Sequence, residues 1–195
     1  MSAPNIYDII LCLFSEDEGE FRGKTNVHKN LYLIREMLKK KKVEVPYTYK
    51  PYFYGPYSAD ISNALDLMED SGLISSREEK FPGKGNLENR LAIYSLQDSG
   101  RSAAAKAREN YPDFFSLFDG SFSKIRKSGS YNRTPVMATA SKISFILGRE
   151  GKPMTVAAIK KQAKELTWEL SDIDIESAVG VLEGAELVSS SNKEK

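Results

Sequence analysis

The chain has 195 residues, 41% of them hydrophobic, enough for one sizeable core or two small ones. One cysteine and one histidine exclude an intrachain disulfide and any cluster of thiolate and imidazole ligands, so only an all-oxygen metal site stays open and no cofactor is expected. The net charge of +1 points to no class of partner, but it hides segregation: residues 1–21 carry −5, 22–42 carry +7, 43–72 carry −4, 73–120 balance, 121–164 carry +9 and 165–195 carry −6.

Ile6, Ile9, Ile10, Leu13 and Phe14 recur at the spacing of a core-facing helix over residues 5–16. The apolar run IYDIILCLF is too short to span a bilayer, and acidic residues follow it rather than a cleavage site, so a cytoplasmic protein without a membrane partner is expected. Cys12 inside that run reads as a buried small hydrophobe. SEDEGEFRG reads as a polar connection. From Lys24 to about Lys41 a second helix puts Val27, Leu31, Ile34 and Leu38 on one stripe, with Lys29, Arg35 and Lys39, Lys40, Lys41 and Lys42 largely off it. His28 beside the stripe reads as a packed or solvated ring rather than a catalytic base.

Beyond Val43 the prolines forbid a helix, and YKPYFYGPYS at 49–58 places five aromatic rings in ten residues. Tyr49, Phe53 and Tyr57 recur every fourth residue, which suits an interior clamp with hydroxyls at its wet edge; base stacking or ligand binding is the other use of such rings. Tyr52 and Tyr54, on the opposite parity of an extended piece, are expected at the surface. Ser58 is an N-cap candidate for a third helix with Asp60 in its first turn and Ile61, Ala64, Leu65 and Met68 facing inward; Gly72 stops it. Leu73–Arg77 and Leu91–Leu96 favour strands around the turn-rich tip KFPGKGN, and three helices followed by a hairpin is the order of a winged helix-turn-helix. A helix over Asp98–Tyr111, an amphipathic segment over Phe114–Ile125 and the linker-like KSGSYNRTP come next.

The tail repeats the pattern. ISNALDLMEDSGLISS at 61–76 aligns without gaps onto IESAVGVLEGAELVSS at 175–190 with six identities, and SKISFILGREGKPMTVAAIKKQAKEL upstream reproduces helix, polar turn and helix. The expected fold is mainly α with small β-hairpins, an α+β tandem winged helix-turn-helix: residues 1–97 a first winged-helix domain, 98–133 a helical connector and linker, and 134–195 a second, abbreviated winged-helix-like domain.

KTNVHKNLYLI and YKPYFYGPYSADISNALDLMEDSGLIS resemble the pattern of small winged-helix proteins of the YwgA type and, more remotely, of Panacea-domain antitoxins and the SocA proteolytic adaptor. The shared parts are a basic residue before a K-x-L-Y-L-I-like helix, Y-G-P-Y-S opening the next helix, and G-L-I; they cover residues 24–76. The resemblance implies a non-enzymatic scaffold acting through DNA or through a protein partner.

No nucleophile motif, phosphate loop or paired-carboxylate arrangement stands out, and GKGN at 83–86 is a wing tip without the Lys-Ser/Thr of a phosphate loop, so an enzyme is not expected. The candidate recognition helices oppose groove binding, since one offers Asp60, Ser62, Asn63 and Asp66 and the other Asp172, Asp174, Glu176 and Ser177. Two readings stand. In the first, a transcriptional regulator holds double-stranded DNA by basic surfaces: Lys39, Lys40, Lys41, Lys42, Arg77, Lys80 and Lys84, with Lys124, Arg126, Lys127, Arg133, Lys160, Lys161 and Lys164. In the second, an adaptor or antitoxin-like module turns its acidic helices to a basic protein partner. The lysine run at 39–42 is also what a solvated helix C-terminus carries, and alternating charge blocks suit head-to-tail self-association, with a homodimer as the simplest assembly expected.

Overall fold

The computed structural model describes residues 3–82 and 88–189. The chain is mostly helical with two small antiparallel sheets: α1 (Ile6–Glu16), β1 (Glu20–Arg22), α2 (Lys24–Lys40), β2 (Lys50–Tyr52), β3 (Gly55–Tyr57), α3 (Ala59–Asp70), β4 (Ile74–Pro82), β5 (Glu88–Leu96), α4 (Asp98–Asn110), α5 (Pro112–Lys127), α6 (Thr134–Glu150), α7 (Val156–Glu165) and α8 (Asp172–Gly184). None of these helices is long and apolar enough to cross a membrane.

α1 starts in a capping box, Asn5 accepting from the Asp8 amide and Asp8 returning the bond. Its six consecutive residues Ile9–Phe14 are all buried, the pattern of a helix surrounded on every side rather than one lying on a surface. Cys12 is among them, its thiol directed at the Ala104 carbonyl. α2 is the second central helix. It packs against α5 and α6 and buries Asn26, His28, Lys29 and Asn30 as well as its apolar stripe, so the expectation that Lys29 lies off the core is corrected. The stripe of four apolar residues marks one side of α2, but later elements cover the other side too.

Between α1 and α2, part of the expected polar connection is a strand. β1 pairs with β5, Phe21 opposite Tyr94, and completes a three-stranded sheet in the order β1-β5-β4. Phe21 is buried against Phe14 and Phe122 while Glu20 and Arg22 face out, an alternation only three residues long and too short to register as a periodicity. α4 begins against the end of α3, where Ser99 donates to the Gly72 carbonyl and Gly100 passes so close that an added Cβ would stand 2.1 Å from the Leu73 oxygen. Arg108 on α4 ties three helices: it pairs with Glu16 and Asp119, donates to the Cys12 carbonyl and lies over the Phe115 ring.

KSGSYNRTP is not a loose linker. Asn30 and Asn26, one turn apart on α2, donate to the carbonyls of Tyr131 and Asn132, and the Tyr131 hydroxyl donates to Asp17. One hydrophobic cluster runs from Ile9 to Ala185 and takes in residues from the N-terminal, connecting and C-terminal segments.

The internal repeat has a structural counterpart in α3 and α8. Ile61, Ala64 and Met68 are buried, as are Ile175, Ala178 and Leu182 at the aligned positions. Both helices also end alike: Leu73 N–H bonds the Met68 carbonyl as Leu187 N–H bonds that of Leu182, with Gly72 and Glu186 both left-handed at the turn. β4 follows the first copy; no strand follows α8 among the described residues.

Candidate functional site

β2 and β3 form a tight hairpin with Tyr52 opposite Gly55, leaving Phe53 and Tyr54 alone at the turn. Side chains there leave the strand alternation, so fourfold spacing does not keep Phe53 on the side of Tyr49 and Tyr57. Phe53 is 68% exposed, which removes it from the interior clamp. Tyr49 does pack inward, edge-on to Tyr32 and Tyr47, with its hydroxyl donating to the His28 carbonyl. Tyr57 is half-buried and stacked on His28 at 4.9 Å. Tyr52 and Tyr54 are exposed, so three consecutive large rings stand in solvent, with Tyr52 and Phe53 in edge contact. The buried Trp168 indole holds the hairpin from beneath, donating to the Tyr52 carbonyl at 2.6 Å, and the backbone at Gly55 passes so close to α6 that an added Cβ would meet Lys142 Cγ at 3.0 Å. Gly55 also has φ +97°, a conformation favouring glycine.

Next to the hairpin, α3 presents Asp60, Asn63, Asp66, Leu67, Glu69 and Asp70 outward. Ser58 caps it as expected, accepting from the Ile61 amide. Asp66 pairs with Lys24 at 3.0 Å, Asp60 accepts from the Thr48 amide, and Glu69 accepts from Ser76. Among the described residues Asp70 has no ion pair, and Leu67 adds an exposed apolar side chain to this acidic face.

Between hairpin and helix lies a cavity of about 400 Å³, with His28, Lys29, Tyr57 and Ser62 among its lining. Ser58 N–H meets His28 Nδ1 at 3.5 Å, and because that group can only donate, the proton of the neutral ring sits on Nε2, 3.2 Å from Ser62 Oγ. Burial, reinforced by the charges of Lys29 and Lys24, holds the His28 pKa down to about 3, so the ring is neutral at ordinary pH. Lys29 Nζ donates to the Pro56 carbonyl at 2.6 Å. Burial, with Lys142 beside it, brings the Lys29 pKa down to about 7. The sequence signal for this group was the polar run Thr25-Asn26-Val27-His28-Lys29-Asn30 at the start of a central helix. Helical periodicity alone could not show that this run is covered.

The expected nucleic-acid residues do not form one free surface. Arg77 is paired with Glu20, Lys124 with Glu186 and Lys160 with Asp172. Lys40 donates to the Glu186 and Leu187 carbonyls at the end of α8, and Arg126 to the Glu16 carbonyl. Lys80 is exposed, and Lys84 lies outside the described residues. Among the described residues Lys39, Lys41, Lys42, Lys127, Arg133, Lys161 and Lys164 are exposed and make no ion pair. The last turns of α2 and α5 are neighbours, Lys41 and Lys124 lining one cleft. No group of three or more acidic, histidine or cysteine side chains that could hold a metal occurs among the described residues.

No family model matches the chain. It is similar to a Bacillus subtilis (strain 168) protein named "Uncharacterized protein YwgA", 27% identical over 105 residues. That similarity takes in 53% of this chain and 57% of the relative, so the chain spans little more than half the length of the protein it matches.

Proposed function

We propose that the protein is a non-enzymatic interaction module of tandem winged-helix-like units, and that it captures a basic, apolar-tipped segment of a partner protein on the β2–β3 hairpin and α3. The observation that carries this reading is three consecutive exposed aromatic side chains, Tyr52, Phe53 and Tyr54, on a hairpin whose Tyr52 and Pro56 carbonyls are held by the buried Trp168 and Lys29. Rings kept in solvent on a stiff support lose little further entropy when they dock, which is why such residues dominate interface energies. The acidic face of α3 beside them supplies charge complementarity to a basic segment and repels nucleic acid. The matching burial and C-terminal turns of α3 and α8 support the tandem description.

A second reading, duplex DNA held by the unpaired lysines, is favoured by the adjacency of the α2 and α5 C-terminal turns. It has less to work with, because five of the basic side chains assigned to it already hold carboxylates or helix-end carbonyls.

A photo-crosslinking side chain at position 53, used in the source cells, tests the choice. The proposal expects a protein crosslinked through a basic segment, its yield falling sharply with Tyr54→Ala and with Asp66→Asn/Asp70→Asn. Crosslinks to nucleic acid, or yields indifferent to both sets of changes, would sink it. A mobility shift with random duplex over a salt series, compared between parent and Lys41→Ala/Lys127→Ala, reads the DNA alternative directly.

A further inference from the structure

The cavity beneath the hairpin goes beyond any docking role of the rings above it. Its innermost groups are polar and shielded from water: Lys29 is 2%, His28 3% and Ser62 7% exposed. Lys29 has three donors and one hydrogen bond, to Pro56, and no carboxylate pairs with it among the described residues. Lys142 brings a second positive charge near enough to help lower the Lys29 pKa, while its own ammonium donates to the Glu169 carbonyl at 3.4 Å. A buried ammonium without a counter-charge loses its hydration uncompensated and here gives up its proton near pH 7, whereas an anion in the adjoining space would hold it charged.

The hydroxyls point the same way. Ser62 Oγ lies 2.9 Å from the Tyr57 hydroxyl and accepts from His28 Nε2, so whichever of the two hydroxyls donates to the other, one proton is left for a further acceptor. Asp66 at the mouth has its charge met by Lys24. The walls are flat: Tyr52, Tyr54 and Tyr57 all line the space, whose 400 Å³ falls in the range of small-molecule sites.

We propose that this cavity binds a small aromatic anion, a planar ring bearing a carboxylate or a phosphate, whose head pairs with Lys29 and takes the spare hydroxyl proton of the Tyr57–Ser62 pair while its ring lies along Tyr52 and Tyr57. A purely structural lysine, stapling α2 to the hairpin, would instead affect stability and bind nothing.

Trp168, the single tryptophan, reports on the site because its indole holds the Tyr52 carbonyl. The full chain is titrated with benzoate, phenyl phosphate and neutral benzamide at fixed ionic strength. Saturable fluorescence change is expected with one or both anions, the tighter one naming the head group, and none with benzamide. Lys29→Met should weaken binding by about tenfold or more, and Ser62→Ala by a smaller factor. Because Lys29→Met also deletes a hairpin hydrogen bond, the unmodified chain carries a second readout. Acetylation of Lys29 by acetic anhydride, followed by peptide mass spectrometry, should slow with the anion and not with benzamide. Absence of saturable binding by either anion, equal binding of benzamide, unprotected Lys29, or a folded Lys29→Met protein that binds like the parent would each overturn the proposal.

Discussion

Phe53 and Tyr49 stand four residues apart in one aromatic stretch and should respond oppositely to truncation. A large aromatic side chain buries about 150–250 Å² when enclosed. Phe53 keeps 68% of its surface exposed, so about a third of that area, roughly 60 Å², is covered. At about 25 cal/mol per Å² this amounts to roughly 1.5 kcal/mol, an upper bound because the unfolded chain already covers part of it. Tyr49 is partly buried, edge-on to Tyr32 and Tyr47 and bonded to the His28 carbonyl; emptying such a site costs about 3 kcal/mol, the low end of the range for buried aromatic rings. For a chain of this length each kcal/mol moves Tm by about 2–4 °C. Phe53→Ala should therefore lower Tm by a few degrees at most, and Tyr49→Ala by about 10 °C. Calorimetry on both variants, with urea titration to check that m is unchanged, reads the difference. A Phe53→Ala protein that melts as low as Tyr49→Ala would show the ring to be interior and would remove the basis for a docking surface.

The buried pair on α2 predicts a pH dependence. The folded His28 pKa of about 3 lies below its ordinary 6.5, so the unfolded chain binds the extra proton and stability should fall as pH drops from 6.5 towards 3. The Lys29 pKa of about 7 lies below its ordinary 10.5, so stability should rise from pH 7.5 to 9.5, by up to about 1.4 kcal/mol per unit, and Lys29→Met should flatten that rise; equal slopes in both proteins would refute it. Gly100→Ala must displace the Leu73 carbonyl, at a cost of about 1–3 kcal/mol by urea titration, and a neutral result would show that α4 does not abut the end of α3 as described. Thr167, β-branched at φ +58° in the turn after α7, should gain stability of about 1 kcal/mol on replacement by Gly; a loss would place the strain elsewhere.

Local chemistry in the sequence determined the helices of this protein, most of their ends and the α3–α8 repeat, because caps, breakers and apolar spacing act within a few residues. Ser58 caps α3 and accepts from Ile61, Pro112 and Pro135 enter the first turns of α5 and α6, and the aligned Ile, Ala and Leu/Met positions of α3 and α8 are buried in both. What a helix is surrounded by is a long-range property, and only tertiary structure decided it. In KTNVHKN the sequence puts Val27 on the core stripe, leaves His28 packed or solvated and sets Lys29 off the stripe, until the hairpin and α6 close over the run and bury both polar groups. The basic residues counted as free by sequence find Glu20, Glu186 and Asp172 only through contacts between elements. Phe53 shows the limit most plainly. Its chemistry is that of a core residue, and a two-residue turn pairing Tyr52 with Gly55 puts it in solvent.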